Sequence, residues 1–142
     1  HEETVGAEYG VSKGIHRQSL SGGYRLNEKL AVKGDFARNF FGGSKGSSTT
    51  RTPDWLPKTQ YLGSAGVQWS PAKSLDLSYK IDYLNERIDF YAQPSSIFNP
   101  IALDEEYKTN RIVNSLQAGK KIKGGRLQTI FAYTNYERLK NQ

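Results

Sequence analysis

Leu75-Asp-Leu-Ser-Tyr-Lys-Ile-Asp-Tyr83 is apolar at every odd position and polar at every even one. Strand side chains alternate sides with a period of two, so such a segment needs an apolar medium against one face and water against the other. Residues 30–40 repeat the pattern, with Leu30, Val32, Phe36 and Phe40 on one face and Lys33, Asp35 and Asn39 on the other. Weaker alternation at 5–11, 20–26, 61–69, 112–122 and 127–136 brings the expected strands to seven. The 112–122 segment departs furthest, because Asn114 and Lys120 fall on its apolar side. Past Tyr83 the parity inverts: Asn85, Arg87 and Asp89 take the apolar positions. Such an inversion predicts either a bulge or a strand that has left its apolar medium.

The connections are asymmetric. Asn27-Glu28-Lys29, Ser70-Pro71-Ala72-Lys73-Ser74 and Lys123-Gly124-Gly125 read as tight turns, with Pro71 ending the ladder before it. Residues 42–58 and 92–109 read as long polar loops. All the tight turns fall at one end of an up-and-down meander, and both long loops fall at the other. Soluble strands cluster near ~5–6 residues, whereas tilted strands that cross a bilayer need ~9–11. Several segments here reach ten or more. The expected fold is therefore all-β: an antiparallel meander of long strands forming a segment of a large transmembrane β-barrel, one partial barrel domain over 1–142 without a plug domain.

Composition agrees. Hydrophobic residues make up 36% of the chain, lean for a soluble core and ordinary for a barrel whose inner wall is polar. No run approaches the ~18 apolar residues of a membrane-crossing helix. Aromatic residues gather toward strand ends, Tyr24 and Trp69 near the turns and Phe40, Phe41, Phe90, Tyr91, Tyr133 and Tyr136 toward the loops, where amphipathic rings meet headgroup layers. Arg38 is the exception on the apolar face, and beside Phe40 it sits where a charge costs only ~0–1 kcal/mol. Cysteine is absent, which removes disulfides and thiolate metal sites, and the chain begins at His1 rather than Met, as a processed product or an internal piece would. The net charge of +6 is spread over strands and turns, without the compact basic patch that nucleic acid requires.

The segments Leu77-Ser-Tyr-Lys-Ile-Asp-Tyr-Leu-Asn-Glu-Arg-Ile-Asp89 and Phe98-Asn-Pro-Ile-Ala-Leu-Asp-Glu-Glu-Tyr-Lys-Thr-Asn-Arg111 resemble the barrel of TonB-dependent outer-membrane receptors, particularly the Bacteroidetes-like branch. That resemblance implies a 22-stranded barrel with a plugged lumen, set in outer-membrane lipid and energised by an inner-membrane complex acting through the plug. It implies uptake of a scarce solute such as an iron-siderophore chelate. No plug, energy-coupling box or terminal aromatic strand is recognisable in the sequence, so the chain reads as an internal piece of the wall.

Enzyme chemistry finds no support. His1 and His16 are far apart and no nucleophile motif accompanies them. Asp76 and Asp82 share the polar face, but six residues of strand put them ~20 Å apart, too far for a glycosidase pair. Gly42-Gly-Ser-Lys-Gly-Ser47 lacks phosphate-loop spacing. Asp104-Glu105-Glu106 lacks the spaced ligands of a calcium loop. No catalytic residue, metal site or cofactor is expected. The candidate ligand-binding residues are Arg51, Asp54 and Trp55 in the first long loop and Tyr107 and Lys108 in the second, since charge mixed with aromatics suits loops that grip a solute. Two other architectures fit the alternation: a soluble β-sandwich that binds glycans, and a complete small barrel, which would need an eighth strand.

Overall fold

A computed structural model describes residues 2–4, 14–43, 55–95 and 101–142. They form one antiparallel sheet in sequence order: β1 (Glu2–Thr4), β2 (Ile15–Asn27), β3 (Leu30–Phe41), β4 (Lys58–Ala72), β5 (Leu75–Phe90), β6 (Glu105–Ile122) and β7 (Gly125–Asn141). No helix is present among the described residues. The expected all-β meander is what forms, with six long strands and one three-residue strand. The strand expected at 5–11 lies outside the described residues.

The turns follow from local chemistry. Glu28-Lys29 closes the first, where Asn27 Oδ1 accepts from the Lys29 amide at 2.8 Å. Lys73-Ser74 closes the second. Pro71 does not end β4 as expected: the register shifts between Trp69 and Ala72, and the bulge accommodates a residue that cannot donate to the ladder. Lys123-Gly124 closes the third, with Gly124 at φ 90°, a conformation that favours glycine.

Register settles the parity question. Lys58 to Trp69 pairs with Ile88 to Leu77 without interruption, and Leu75 to Phe90 pairs with Lys120 to Glu105 just as regularly. No bulge separates Tyr83 from Asn85. The same face of β5 simply turns polar, while ladder hydrogen bonds, indifferent to side-chain polarity, carry the strand on to Phe90. For the same reason β6 begins at Glu105, five residues earlier than the loop expected over 92–109 allows.

One face of the sheet carries Leu20, Tyr24, Val32, Phe36, Tyr61, Val67, Trp69, Tyr79, Tyr83, Ile112, Leu116, Phe131 and Tyr133, all substantially exposed. Phe36 is 53% exposed and Leu20 76%. No hydrophobic side chain is fully buried among the described residues. Among the described residues the apolar face has no second layer against it, so the sandwich arrangement is not the one observed there: Leu30, Leu77 and Ile81 are half-buried by their neighbours within a single sheet.

The opposite face is polar and concave. A cavity of about 470 Å³ reaches from Ser19 and Ser21 on β2 to Arg111 and Val113 on β6, and one hollow spanning five neighbouring strands lies on the inside of a curved sheet. Smaller hollows near Asp76, near Lys33 and near Asn39 open on the same side. Soluble barrels and sandwiches fold their apolar side inward. This sheet curls the other way.

The tight turns are also staggered. Leu30, which closes the first, is in register with Trp69 and Leu77, and the second turn closes two residues further on, at Leu75. Leu75 is in register with Lys120 and Leu127, and the third closes two residues beyond, at Gly125. A drift of two residues per hairpin is one per strand. With a rise of ~3.3 Å along strands ~4.8 Å apart, turns lying at one level require a strand tilt of about 35°. The loop-side edge of the apolar band drifts the same way. In the register row Gln18, Arg38, Tyr61, Asn85, Asn110, the last apolar residue lies above the row on β3 (Phe40), in it on β4 (Tyr61), and below it on β5 (Tyr83) and β6 (Ile112), while β7 departs from the trend with Leu139 near its end.

Candidate functional site

The concave face is lined by side chains that strand alternation delivers one strand at a time. At its centre Asp35, Ser64 and Asp82 share one register row across β3, β4 and β5. Ser64 Oγ donates to Asp35, and Lys80 Nζ pairs with Asp82 Oδ1 at 2.7 Å. Toward the turns, Asp76 accepts from Ser70 at 2.9 Å and from Arg126 at 3.2 Å. Arg126 lies across Gly119, where a Cβ would approach its Nη2 to 2.7 Å, so glycine leaves room for the guanidinium. Asp76 and Asp82 do share a face as expected, and each is held by its own partner.

Toward the loops, Gln60 receives from Asn39 at 3.4 Å and donates to Glu86 at 2.5 Å. The first strands' contribution ends there, while β6 and β7 continue into a rim cluster. The Tyr107 hydroxyl donates to Glu105 at 2.5 Å, Lys140 pairs with Glu105 at 2.7 Å and Gln142 donates to it at 3.0 Å. The Arg138 guanidinium lies over the Tyr107 ring, 4.9 Å from its centroid, and Lys140 Nζ is 5.7 Å from it. This part of β6 extends past the apolar band, whose last residue on that strand is Ile112. There Lys140, then Tyr107 and Gln142, hold the Glu105 carboxyl down to about 2.

On the other face beyond the band, Arg87 pairs with Asp89 at 2.9 Å and Glu106 at 2.8 Å, and Lys108 with Glu106 at 2.7 Å. Lys108, and Asn141 at 3.2 Å, lower the Glu106 carboxyl, while Asp89 raises Arg87. Charged side chains stand on both faces here, with Leu139 among them on the outer face and Ile88 and Phe90 on the concave one.

Of the residues expected to grip a solute, Arg51 and Asp54 lie outside the described residues. Trp55 is 71% exposed on the approach to β4, and Gly43 at φ 84° packs against Pro57 and the Trp55 carbonyl, drawing the limbs of that loop together. Tyr107 and Lys108 are in β6 rather than in a loop, and successive strand residues point to opposite sides, so Tyr107 faces the concavity and Lys108 the other side. The same alternation divides Glu105 from Glu106. Arg111 and Arg138, both on the concave side, were missed because they read as ordinary strand residues. Only the register of β6 with β7 shows that Arg138 neighbours Tyr107.

Among the described residues no cluster of His, Asp or Glu is arranged to hold a metal ion. Comparison with protein-family models, curated proteins and solved structures returned no match.

Proposed function

We propose that this chain is a stretch of wall from a large outer-membrane β-barrel of the TonB-dependent receptor kind. The apolar convex face meets lipid, and the polar concave face lines the solute path. The observation that carries the reading is the direction of curl: an uncovered apolar face on the outside and a charged, hydrogen-bonded face on the inside is the arrangement for a wall between hydrocarbon and water. Strand dimensions agree. From Leu30 to Phe40 there are ten steps of ~3.3 Å, which at a tilt of ~35° span about 27 Å along the membrane normal, close to the ~25 Å band of outer-membrane barrels.

The narrower assignment rests on the resemblance of residues 77–89 and 98–111. In that assignment the loop-side rim recognises a solute such as an iron-siderophore chelate. A plug domain elsewhere in the receptor couples release to an inner-membrane energy complex. A bare edge on β7 would be intolerable in lipid, so further strands complete the wall. No catalytic step is assigned to the chain, and nucleic acid has no place on it.

The test is fractionation and uptake with the native protein. Recovery in the outer membrane, with iron-chelate uptake abolished by an uncoupler of the inner membrane, is the expected result. Recovery in the soluble fraction would refute the wall, and uptake indifferent to the uncoupler would refute the TonB-dependent assignment alone.

A further inference from the structure

We infer that the turn-side end of the wall is a docking surface for anionic phospholipid headgroups, carried by lysines that the fold gathers from three separate turns. The inference rests on the wall reading, because it takes the convex face to meet lipid.

Along the sequence these cations are dispersed, but an up-and-down meander brings every tight turn to the same end. Residues 25–31, 70–77 and 119–127 together hold seven cations against two carboxylates, Glu28 and Asp76. That leaves a net +5 at this end, of +6 in the whole chain. Asp76 is already taken by Arg126 on the concave side. Lys29, Lys73, Lys120 and Lys123 have no carboxylate partner among the described residues. The loop end differs, for there Arg87, Lys108 and Lys140 are each paired with a carboxylate.

Placement selects a lipid layer as the occupant. Lys120 projects from the apolar face itself, in register between Leu75 and Leu127, with Ile122 beyond it and 55% exposed. Trp69 stands on the same face level with Leu77, one step toward the middle of the band. A lysine whose stem lies along apolar surface carries its ammonium out to the headgroup layer, where an indole also settles. Lys29, Lys73 and Lys123 occupy successive turns, and hairpins two strands wide space them on the order of 10 Å apart. A file of separate charges suits a layer of headgroups, whereas a free phosphate needs cations that converge on it. Lysines beside an anionic bilayer surface add attraction that salt screens.

The experiment places single cysteines in the native protein, Leu75→Cys at the turn-side edge of the band or Tyr83→Cys at its loop-side edge. Each is labelled with bimane and reconstituted in phosphatidylcholine vesicles containing brominated phosphatidylglycerol or, separately, brominated phosphatidylcholine as quencher. At ~50 mM NaCl the Leu75 label should favour phosphatidylglycerol about threefold or more, and the Tyr83 label should favour neither lipid. At ~500 mM NaCl, and in Lys29→Gln/Lys73→Gln/Lys120→Gln/Lys123→Gln, the Leu75 preference should vanish. Lys33→Gln, on the concave side, should leave it intact. No quenching of either label by either lipid refutes the wall reading, and the inference with it. Quenching without preference at Leu75 overturns the inference alone and leaves the lysines to an acidic protein segment. Equal preference at the two labels, or a preference unmoved by the fourfold variant, overturns it as well. If that variant fails to insert, the salt response of the unaltered protein decides, and a preference that survives high salt overturns the inference.

Discussion

Phe36 on β3 faces Gly63 across the ladder and stacks on Tyr61, the ring centroids 6.4 Å apart at 27°, midway along the exposed apolar face. Its neighbour Ala37 points into the concave cavity. One residue therefore separates the two media that the fold divides. Phe36→Lys is expected to destabilise the protein in bilayers by ~2–4 kcal/mol, the cost of a lysine near the bilayer midplane, and Ala37→Lys by less than ~1 kcal/mol. Urea unfolding in lipid vesicles measures both. Equal costs would remove the distinction between the faces.

The rim cluster gives a pH dependence. The Glu105 carboxyl is held at about 2, below its ordinary 4.5, by Lys140 first and then Tyr107 and Gln142. A carboxyl depressed in the folded state contributes stability that is present above its unfolded value and lost as pH falls toward the folded one. The cluster should therefore stay intact at neutral pH and come apart between about 4.5 and 2. Carbon-13 titration of the Glu105 carboxyl should give a midpoint near 2, and Lys140→Gln should move it upward. A midpoint near 4.5 in the unaltered protein would show that the cluster does not form.

The stagger of the turns predicts an orientation. Strands that drift one residue per neighbour should lie about 35–45° from the membrane normal. Polarised infrared dichroism of the amide I band in aligned bilayers reads that angle. Strands lying flat on the surface would be incompatible with it.

Much of this fold was legible in the sequence because alternation and turn chemistry are local. Leu75 to Tyr83 could be assigned a face from its own residues, and Asn27-Glu28-Lys29 announces a turn. Strand ends were less legible. Residues 84–90 and 105–111 lack apolar parity, yet they are strand, because the backbone ladder continues after side chains no longer need a dry side. Pro71 looked like a terminator and sits in a bulge. The direction of curl was beyond reach, since period two divides the faces without saying which is inside. The candidate site suffered most: Tyr107 and Lys108 were grouped by adjacency, and adjacency in a strand separates them, whereas Tyr107 and Arg138 are joined by a register that no local pattern encodes.

The central claim is that hydrocarbon covers the apolar face, and the absence of native cysteine makes it directly measurable. Single cysteines placed one at a time over residues 75–90 and spin-labelled in vesicles should show alternating collision rates. Oxygen should reach odd positions from 75 to 83, a water-soluble nickel complex should reach even ones, and beyond Asn85 the nickel complex should reach both. Odd positions shielded from oxygen and nickel alike would mean that another protein layer covers them, and would contradict the account.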